Sequence, residues 1–582
     1  MGEKKIPSQQ EIAKEINRFL SEKYGAHIQV EGFLGIPQIE KDNNNSNKKT
    51  EKKGGIENIK FDLKPEELRR YLDQYVIRQD KAKDVLATKI CTHFNKIKYL
   101  SKRKGRFEDI GSIKNNIIMA GPTGVGKTFI VKLIARELGV PFVKADATKF
   151  SETGYVGGDV EDLVRDLVYQ AEGDIELAQF GIVYIDEIDK LAASGYAGGL
   201  DVSRTGVQRG LLKIMEETEV ELKTGFDPVS QLRALEEYRK TGKIEKKVIN
   251  TKNILFVVSG AFNGLEGVIK KRLNRQGIGF GAEVSQNREE LNYLQYLKSE
   301  DFISYGFESE FIGRLPVIAV LEPLNSRDLY QILKTVNSPI IVNKKLDFKS
   351  YGIDIQFEDV ALQLLADRAY EGKIGARGLV SAIESVLIDF EKVFPSSNVK
   401  KFVITKDTVL TPKEELNKLL SNPNDERMLN RFDTILKEEK QSLKELIEER
   451  RAEYEEKFHD IFDSFTVEMV IELVYGDNLD VESAYRKILK IHRGIKEYEE
   501  IFQEAYDISI SLDEEARLFL LTNLQEYNQD IVGLCEEHLK NFQYGLKLIK
   551  EKTGQDRFII TKEALEKPEK FLDDMIKKFY HR

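Results

Sequence analysis

The segment GPTGVGKT (121–128) indicates the fold, because it matches GxxxxGK[ST], the pattern of a phosphate-binding loop. It directly follows the apolar run NNIIMA (115–120) and precedes the helical pattern FIVKLIARELG. In a strand–loop–helix unit of this kind, glycines let backbone amides curl around phosphate oxygens at the start of the helix. The predicted phosphate-binding residues are Gly121, Pro122, Thr123, Gly124, Val125, Gly126, Lys127 and Thr128.

The stretch GIVYIDEID (181–189) supplies the second half of a nucleotide site, since a buried strand ends there in two adjacent carboxylates. Lys127 is predicted to reach the terminal phosphates, and the Thr128 hydroxyl to ligate magnesium together with Asp186. Glu187 is predicted to polarise a water for attack on the γ-phosphoryl group. An Asp–Glu pair alone is more often a solvated helix cap, but its place after the loop favours catalysis. The sequence therefore predicts hydrolysis of ATP with Mg²⁺.

Short apolar runs rich in Ile and Val alternate with helical patterns around this loop, which is typical of a doubly wound parallel sheet in an α/β fold. The predicted strands are NNIIMA (115–120), VPFVKA (140–145), GIVYID (181–186) and NILFVV (253–258).

The order of patterns along the chain predicts five segments. Residues 1–40 contain an amphipathic helical pattern, and 41–59 reads as a flexible linker because it has almost no apolar surface to bury. A large ATPase domain is predicted for 60–324, and a smaller helical domain with some strand, a lid, for 325–412. The remaining residues, 413–582, predict a mostly helical extension.

The amino-acid composition and net charge argue against several classes of function. The chain has 582 residues, 41% of them hydrophobic, and a formal net charge of −9, which argues weakly against a general nucleic-acid binder. Two cysteines, Cys91 and Cys535, exclude a zinc site built on cysteine pairs, and the histidines show no ligand spacing. No stretch reaches the ~18 apolar residues needed to cross a bilayer. These features predict a cytoplasmic protein with no membrane partner, no nucleic-acid partner and no metal beyond magnesium.

Several further motifs between Lys64 and Leu410 resemble those of the AAA+ unfoldases of the ClpX and HslU type. The resemblance implies that YLDQYVIRQDKAKDVLA (71–87) packs on the adenine through Val76 and Ile77. The family usually has VIGQ at this point, whereas this chain has Arg78 in place of the glycine.

The resemblance also implies roles for two arginines. EFIGRLPV (310–317) is similar to the box that presents an arginine finger to the neighbouring subunit, which assigns Arg314 to catalysis. GARGLVSAIE (375–384) is similar to sensor 2, which makes Arg377 the catalytic and nucleotide-binding cation of the small domain. Ser259, in SGAF, is a weaker candidate for sensor 1. Because Arg314 would act on a neighbour, a closed ring is required, and the family implies a homo-hexamer.

Two loops of the family would contact protein partners. GYVG (154–157) resembles the pore loop, so Tyr155 and Val156 are expected to grip the translocating polypeptide. Outside this context, a tyrosine in a glycine-rich turn is more often structural. In RLNRQGIGFGAEVS (272–285), Ile278, Gly279 and Phe280 resemble the loop that docks ClpX-type proteins on a ClpP-like peptidase.

The chain also departs from the family. It lacks the four-cysteine zinc domain with which ClpX proteins usually begin, and the Arg-Lys-His loop is not recognisable between Phe226 and Lys247. The long extension at 413–582 has no counterpart in either family.

Part of that extension is similar in sequence to the small domain. YGIDIQFEDVALQLLADRAY begins at Tyr351 and is followed by Phe402, and YDISISLDEEARLFLLTNL begins at Tyr506 and is followed at nearly the same distance by Phe558. One interpretation is a degenerate second small domain at about 500–575; the other is chance similarity of strand–helix–helix–strand units. The second copy has no GARG, so it is not expected to bind nucleotide.

Together these patterns predict an ATP-dependent protein unfoldase that threads unfolded or tagged proteins through a hexameric pore into a ClpP-like peptidase. The first alternative is a stand-alone protein-remodelling chaperone with no peptidase partner. The second is a nucleic-acid motor, which the GYVG loop and the acidic balance disfavour.

Overall fold

A computed structural model describes residues 59–101, 114–150, 158–192, 202–222, 247–276, 293–477, 479–527, 531–540 and 542–580. All of them fall within one structural unit, residues 54–582. Within these ranges, no helix combines the length and the apolar composition that a membrane span requires.

A five-stranded parallel sheet forms the centre of the large domain, with the strand order β2-β3-β6-β1-β7. Its strands are β1 (Ile117–Ala120), β2 (Phe142–Asp146), β3 (Ile182–Asp186), β6 (Leu255–Gly260) and β7 (Val317–Val320). A separate antiparallel pair consists of β4 (Glu219–Glu221) and β5 (Val248–Asn250). β1 and β6 are buried along their whole length, which fits the unbroken apolar runs of their sequences.

Helices cover both faces of this sheet, and each face has its own hydrophobic cluster. The helices are α1 (Pro65–Asp73), α2 (Asp80–Ser101), α3 (Lys127–Leu138), α4 (Asp162–Gln170), α5 (Ile175–Ala178), α6 (Val202–Met215), α7 (Leu265–Gln276), α8 (Ser299–Tyr305) and α9 (Ser309–Gly313). Short 3-10 helices lie at Ala147–Lys149, Ile188–Leu191 and Tyr293–Tyr296.

The predicted doubly wound α/β fold is confirmed, and each of the four predicted runs overlaps one strand of the sheet. The sequence did not predict β7, which pairs with β1 at the edge of the sheet. Its four residues, VIAV, alternate between buried and half-buried, so they lack the longer apolar run that marks the central strands.

The smaller domain follows β7 and encloses a separate hydrophobic cluster. Its helices are α10 (Ser326–Lys334), α11 (Pro339–Lys349), α12 (Asp359–Glu371), α13 (Arg377–Val393), α14 (Lys406–Leu410) and α15 (Pro412–Ser421), with a 3-10 turn at Phe394–Ser396. Its two strands, β8 (Asp354–Phe357) and β9 (Lys401–Ile404), pair in parallel.

The extension is mostly helical, as predicted, and has the fourth hydrophobic cluster. Its elements are α16 (Glu426–Glu449), α17 (Arg451–Phe458), α18 (Ser464–Gly476), α19 (Val481–Tyr506), β10 (Ser509–Leu512), α20 (Glu514–Tyr527), α21 (Ile531–Leu539), α22 (Phe542–Thr553), β11 (Arg557–Ile560), α23 (Lys562–Glu566) and α24 (Pro568–Tyr580).

The extension contacts both preceding domains. On the large domain, the Tyr75 hydroxyl donates to an Asp480 carboxylate oxygen at 3.2 Å. On the small domain, the Lys345 ammonium lies 3.1 Å from a Glu439 carboxylate oxygen. The extension therefore packs across the junction of the two domains instead of projecting from the end of the small one.

The two sequence copies have the same strand arrangement. β10 and β11 pair in parallel like β8 and β9, with Phe402 and Phe558 at corresponding, buried positions. In both copies the second strand leads to a threonine N-cap, Thr405 or Thr561, and a five-residue helix. A further helix that begins with proline follows each time.

Candidate functional site

The sequence-predicted loop lies at the carboxyl edge of the sheet, where β3, β6 and β1 are neighbours. Ligands of open parallel sheets bind at this edge. A cleft of about 380 Å³ opens there, between the large and the small domain. Its lining includes Thr123, Gly124, Gly126, Lys127, Thr128, Asp186, Glu187, Asp189, Ala261, Asn263, Ala376, Arg377 and Val380.

The loop leaves the amino terminus of α3 available to an anion. Gly126 precedes the helix with φ of 96°, and no atom lies within 4 Å of the position that a Cβ would occupy. No side chain caps the helix, and its first turn has no acidic residue. Unpaired amides at the start of a 12-residue helix are the arrangement that binds phosphate.

Lys127 lies against its own loop. Its ammonium donates to the carbonyl oxygens of Gly121 at 2.6 Å and Pro122 at 2.8 Å. Burial lowers the pKa of Lys127, and the nearby carboxylates of Asp186 and Asp189 oppose that shift. Because the cation is only partly compensated, a bound phosphate would be a better partner than two carbonyls.

Asp186 is fixed by a small polar network at the end of β3. Its carboxylate accepts from the Ser259 hydroxyl at 2.7 Å and lies 3.4 Å from the Thr128 hydroxyl. Tyr184 shares a 2.6 Å hydrogen bond with Ser259, and the Lys144 ammonium is 3.5 Å from Asp186. Burial would raise the pKa of Asp186, but the Ser259 hydrogen bond and Lys144 outweigh burial and lower it. The carboxylate is therefore ionised at neutral pH.

Glu187 has a left-handed backbone, with φ of 55°. This conformation is uncommon for a residue with a Cβ and costs of order 1–3 kcal/mol. The turn lets the Glu187 amide donate to Asp186 Oδ1 at 3.1 Å. Its own side chain is exposed and lines the cleft.

The small domain contacts the loop directly through the turn between α12 and α13. The Ala376 amide donates to the Gly124 carbonyl oxygen at 2.8 Å. Gly375 has φ of 63°, and a Cβ there would lie 2.8 Å from that same oxygen. The close approach places Arg377, the first residue of α13, on the cleft.

The residues present fit a magnesium nucleotide. The Thr128 hydroxyl and the Asp186 carboxylate supply oxygen ligands, which Mg²⁺ prefers. Lys127 and Arg377 supply positive charge on the same cleft, and the uncapped start of α3 supplies amide donors. In the described ranges, no group of three or more His, Cys, Asp or Glu side chains has the arrangement of a metal site.

The residues expected to pack on the adenine lie beside the loop, not on the cleft lining. Val76 is buried in the same hydrophobic cluster as Val125, and Ile77 is half-buried. Arg78 has φ of 60°, which explains why a glycine is favourable at this position. Its guanidinium pairs with Glu322 at 3.0 Å and with Asp328 at 2.7 Å, so it connects this segment to the start of the small domain.

Arg314 lies outside the cleft of its own chain. It follows α9, is 56% exposed, and its guanidinium is 2.5 Å from a Glu216 carboxylate oxygen. The pore-loop residues Tyr155 and Val156 lie outside the described residues. The same holds for the docking-loop residues Ile278, Gly279 and Phe280.

Sequence reasoning missed several residues of the site. Tyr184 and Lys144 contribute to the Asp186 network, and Asn263 lines the cleft. Tyr184 stands inside an apolar run, so its buried hydroxyl carried no separate signal. Ser259, the candidate for sensor 1, is buried and positions Asp186 instead of facing the cleft. The alternation of β3 places Tyr184 and Asp186 on the same face, so the sequence indicated that these side chains are neighbours but not that Ser259 joins them.

Comparison with known proteins gives consistent matches to this architecture. A model of the AAA domain (Cdc48 subfamily) matches residues 113–318, and a model of the C-terminal, D2-small domain of ClpB protein matches residues 324–390. The ATP-dependent Clp protease ATP-binding subunit ClpX of Borrelia duttonii is 42% identical over 354 residues, which cover 60% of this chain and 79% of that protein.

Two further ClpX proteins match this chain to a similar extent. The ClpX subunit of Bacteroides thetaiotaomicron is 39% identical over 363 residues, covering 62% of this chain and 84% of that protein. A Methylococcus capsulatus subunit named ClpX 3 is 39% identical over 357 residues, covering 60% of this chain and 80% of that protein. The similarity extends over most of each ClpX protein, and the phosphate-binding loop, the paired carboxylates and the small-domain arginine share one cleft. The chain therefore belongs to the ClpX family of AAA ATPases.

Proposed function

We propose that this protein is an ATP-dependent unfoldase and translocase that works as a homo-hexamer and delivers polypeptides to a ClpP-like peptidase. The observation that carries the proposal is the cleft at the carboxyl edge of the sheet, which brings Lys127, Asp186, Glu187 and Arg377 together. The proposal has three parts: hydrolysis, ring assembly and substrate handling.

For hydrolysis, the chain's own residues divide the work. Lys127 and the amides at the start of α3 bind the phosphates. Thr128 and Asp186 would hold a magnesium ion, which would neutralise charge at the phosphoryl oxygens. Glu187 accepts a proton from the attacking water. Its carboxylate is exposed on the cleft, whereas Asp186 is held by Ser259, so the two acids are not interchangeable.

Ring assembly accounts for the position of Arg314. Its side chain is 56% exposed and lies away from the cleft of its own chain, as a residue that completes a neighbour's site must. A guanidinium brought near the γ-phosphate by a second subunit stabilises the transition state. The Glu216 ion pair then holds Arg314 in a defined orientation before the subunits meet.

Substrate handling is assigned to two loops by resemblance. Tyr155 and Val156 would grip the polypeptide in the axial pore, and Ile278, Gly279 and Phe280 would dock the peptidase. The similar ClpX proteins are named as ATP-binding subunits of a Clp protease, which supports a peptidase partner. We assign these steps to a large domain at 60–324 and a small domain at 325–412, with 413–582 outside the motor.

The proposal is tested by unfolding of a tagged, fluorescent folded protein with ATP. The parent chain should unfold it, and Tyr155→Ala should keep basal ATPase activity while losing unfolding. Phe280→Ala should keep both activities but lose stimulation of a ClpP-like peptidase. Unfolding by the parent with no peptidase stimulation would favour the stand-alone remodelling chaperone. ATPase stimulation by DNA and not by unfolded protein would favour the nucleic-acid motor.

A further inference from the structure

The outer face of the β8–β9 sheet is covered by a helix of this chain. α16 packs over both strands, and it buries the paired residues Gln356 and Val403 to 4% and 2% exposure. These two side chains point away from the small-domain core, which takes the alternate residues of each strand. The sheet is therefore sandwiched between its own domain and the extension.

Charged groups on each side fix α16 on that face. The Lys401 ammonium lies 2.9 Å from an Asp433 carboxylate oxygen and 5.0 Å from the centre of the Phe432 ring. On the other side, Arg431 forms an ion pair with Glu358. Three consecutive residues of α16, a base, an aromatic and an acid, thus meet an acid and a base of the small domain.

The β10–β11 sheet presents the same pattern at corresponding positions. Ser511 pairs with Ile559 where Gln356 pairs with Val403, and Arg557 occupies the position of Lys401. The correspondence extends to the backbone. The Asp513 amide donates to the Ile560 carbonyl oxygen, as the Glu358 amide donates to that of Ile404. The second face therefore offers an apolar residue between a base and an acid.

That second face is open. Ile559 is 64% exposed, whereas its counterpart Val403 is buried, and Ser511 and Arg557 are exposed as well. In the described part of the chain, Arg557 has no carboxylate partner such as Asp433 provides for Lys401. Ile559 and the Arg557 guanidinium are therefore both available to a partner, whereas the Asp513 carboxylate also accepts from the Ala516 amide at 2.7 Å at the start of α20.

We propose that the outer face of the β10–β11 sheet is a docking surface for an amphipathic helix of a partner protein. The partner helix carries an aromatic residue over Ile559, an acid that pairs with Arg557 and a base that shares the Asp513 carboxylate with the Ala516 amide. Its chemistry is that of Arg431-Phe432-Asp433, because the chain uses that triplet to cover the matching face.

The test uses a fluorescently labelled peptide of residues 426–449 and the full chain. Saturable binding, measured by anisotropy, is expected for the parent. Ile559→Asn should weaken it at least about tenfold, because the apolar centre of the face is lost. Ile388→Asn is the matched control, since Ile388 is 56% exposed on α13, and it should bind as the parent does.

A charge swap tests orientation. Arg557→Asp should weaken binding of the peptide, and a peptide carrying Asp433→Arg should restore it. ATPase activity should not change in any of these variants. Absence of saturable binding, or equal binding by the parent and Ile559→Asn, would overturn the proposal. A concentration-dependent self-association that Ile559→Asn abolishes would overturn it too, because the face would then belong to a second copy.

Discussion

The two strand-pair units, one in the small domain and one in the extension, share a parallel strand pair but differ in the helices between the strands. The described residues form α12 and α13 in the first unit, and α20, α21 and α22 in the second. In the small domain, α13 begins with Arg377 on the cleft, and the preceding turn contacts the phosphate-binding loop at Gly124. In the extension, α21 begins with Ile531, which is buried against α19. A Cβ on Gly494 of α19 would lie 1.9 Å from Ile531 Cγ2.

The difference shows that the fold of the unit does not by itself make a nucleotide site. Gly375, Ala376 and Arg377 make it, because a left-handed glycine lets the turn approach Gly124 and directs α13 toward the cleft. In the second unit, the start of α21 packs against α19 through Ile531. An apolar contact therefore stands at this helix start, where α13 has a cation on the cleft.

The largest effect is expected for Gly375→Ala. A Cβ there meets the Gly124 and Thr123 backbone at 2.8–2.9 Å, so the loop must shift and ATP hydrolysis should fall about a hundredfold. Gly352→Ala is the matched control, because Gly352 has φ of 73° but open space around it. Gly352→Ala therefore introduces the same kind of backbone strain as Gly375→Ala but no steric clash. Steady-state ATPase rates would contradict this account if both variants lost activity equally.

A smaller loss is expected for Arg377→Ala. Removal of one cation from the cleft should lower ATP hydrolysis about tenfold to a hundredfold while the protein stays folded. Arg327→Ala, on the exposed face of α10 in the same domain, is the control and should keep the parent rate. Measurement of kcat and KM for ATP distinguishes a loss of activity in Arg377→Ala from the parent rate expected of Arg327→Ala. A parent-like kcat/KM for Arg377→Ala would remove Arg377 from the site.

The third prediction concerns stability alone. Gly494→Ala should destabilise the extension by about 1–3 kcal/mol, because the new methyl group overlaps Ile531. Gly533→Ala, on α21 with nothing within 4 Å, should instead stabilise it by about 0.5–1 kcal/mol. Urea unfolding followed by circular dichroism measures both. If Gly494→Ala lowered ATPase activity as strongly as Gly375→Ala, the two units would not be functionally distinct.

The sequence predicted the parts of this molecule that depend on local pattern. The glycines of GPTGVGKT and the two acids at the end of β3 were recognisable in the sequence, since phosphate binding and metal ligation require those residue types in that order. The four apolar runs predicted strands because buried parallel strands are continuously apolar. The similarity between the segments that begin at Tyr351 and Tyr506 was visible for the same reason, because both sequences show the same alternation of strand and helix patterns.

What the sequence missed depends on contacts between distant segments. Nothing near Gly124 indicates that Ile374 and Gly375 lie against it, and nothing near Tyr184 indicates its bond to Ser259. The packing of α16 on β8 and β9 was equally invisible, because an amphipathic pattern shows that a helix has a buried face but not what covers it. Such pairings arise only when the chain folds.

The most direct test of the central claim is the number of nucleotide sites in one chain. Calorimetric titration of Glu187→Gln with ATP and Mg²⁺ measures it without turnover, because this variant should bind ATP yet hydrolyse it slowly. We predict at most one site per chain, and no binding when Lys127→Ala is added. Two sites per chain, or binding that survives Lys127→Ala, would contradict the assignment of nucleotide to the cleft that the small domain completes.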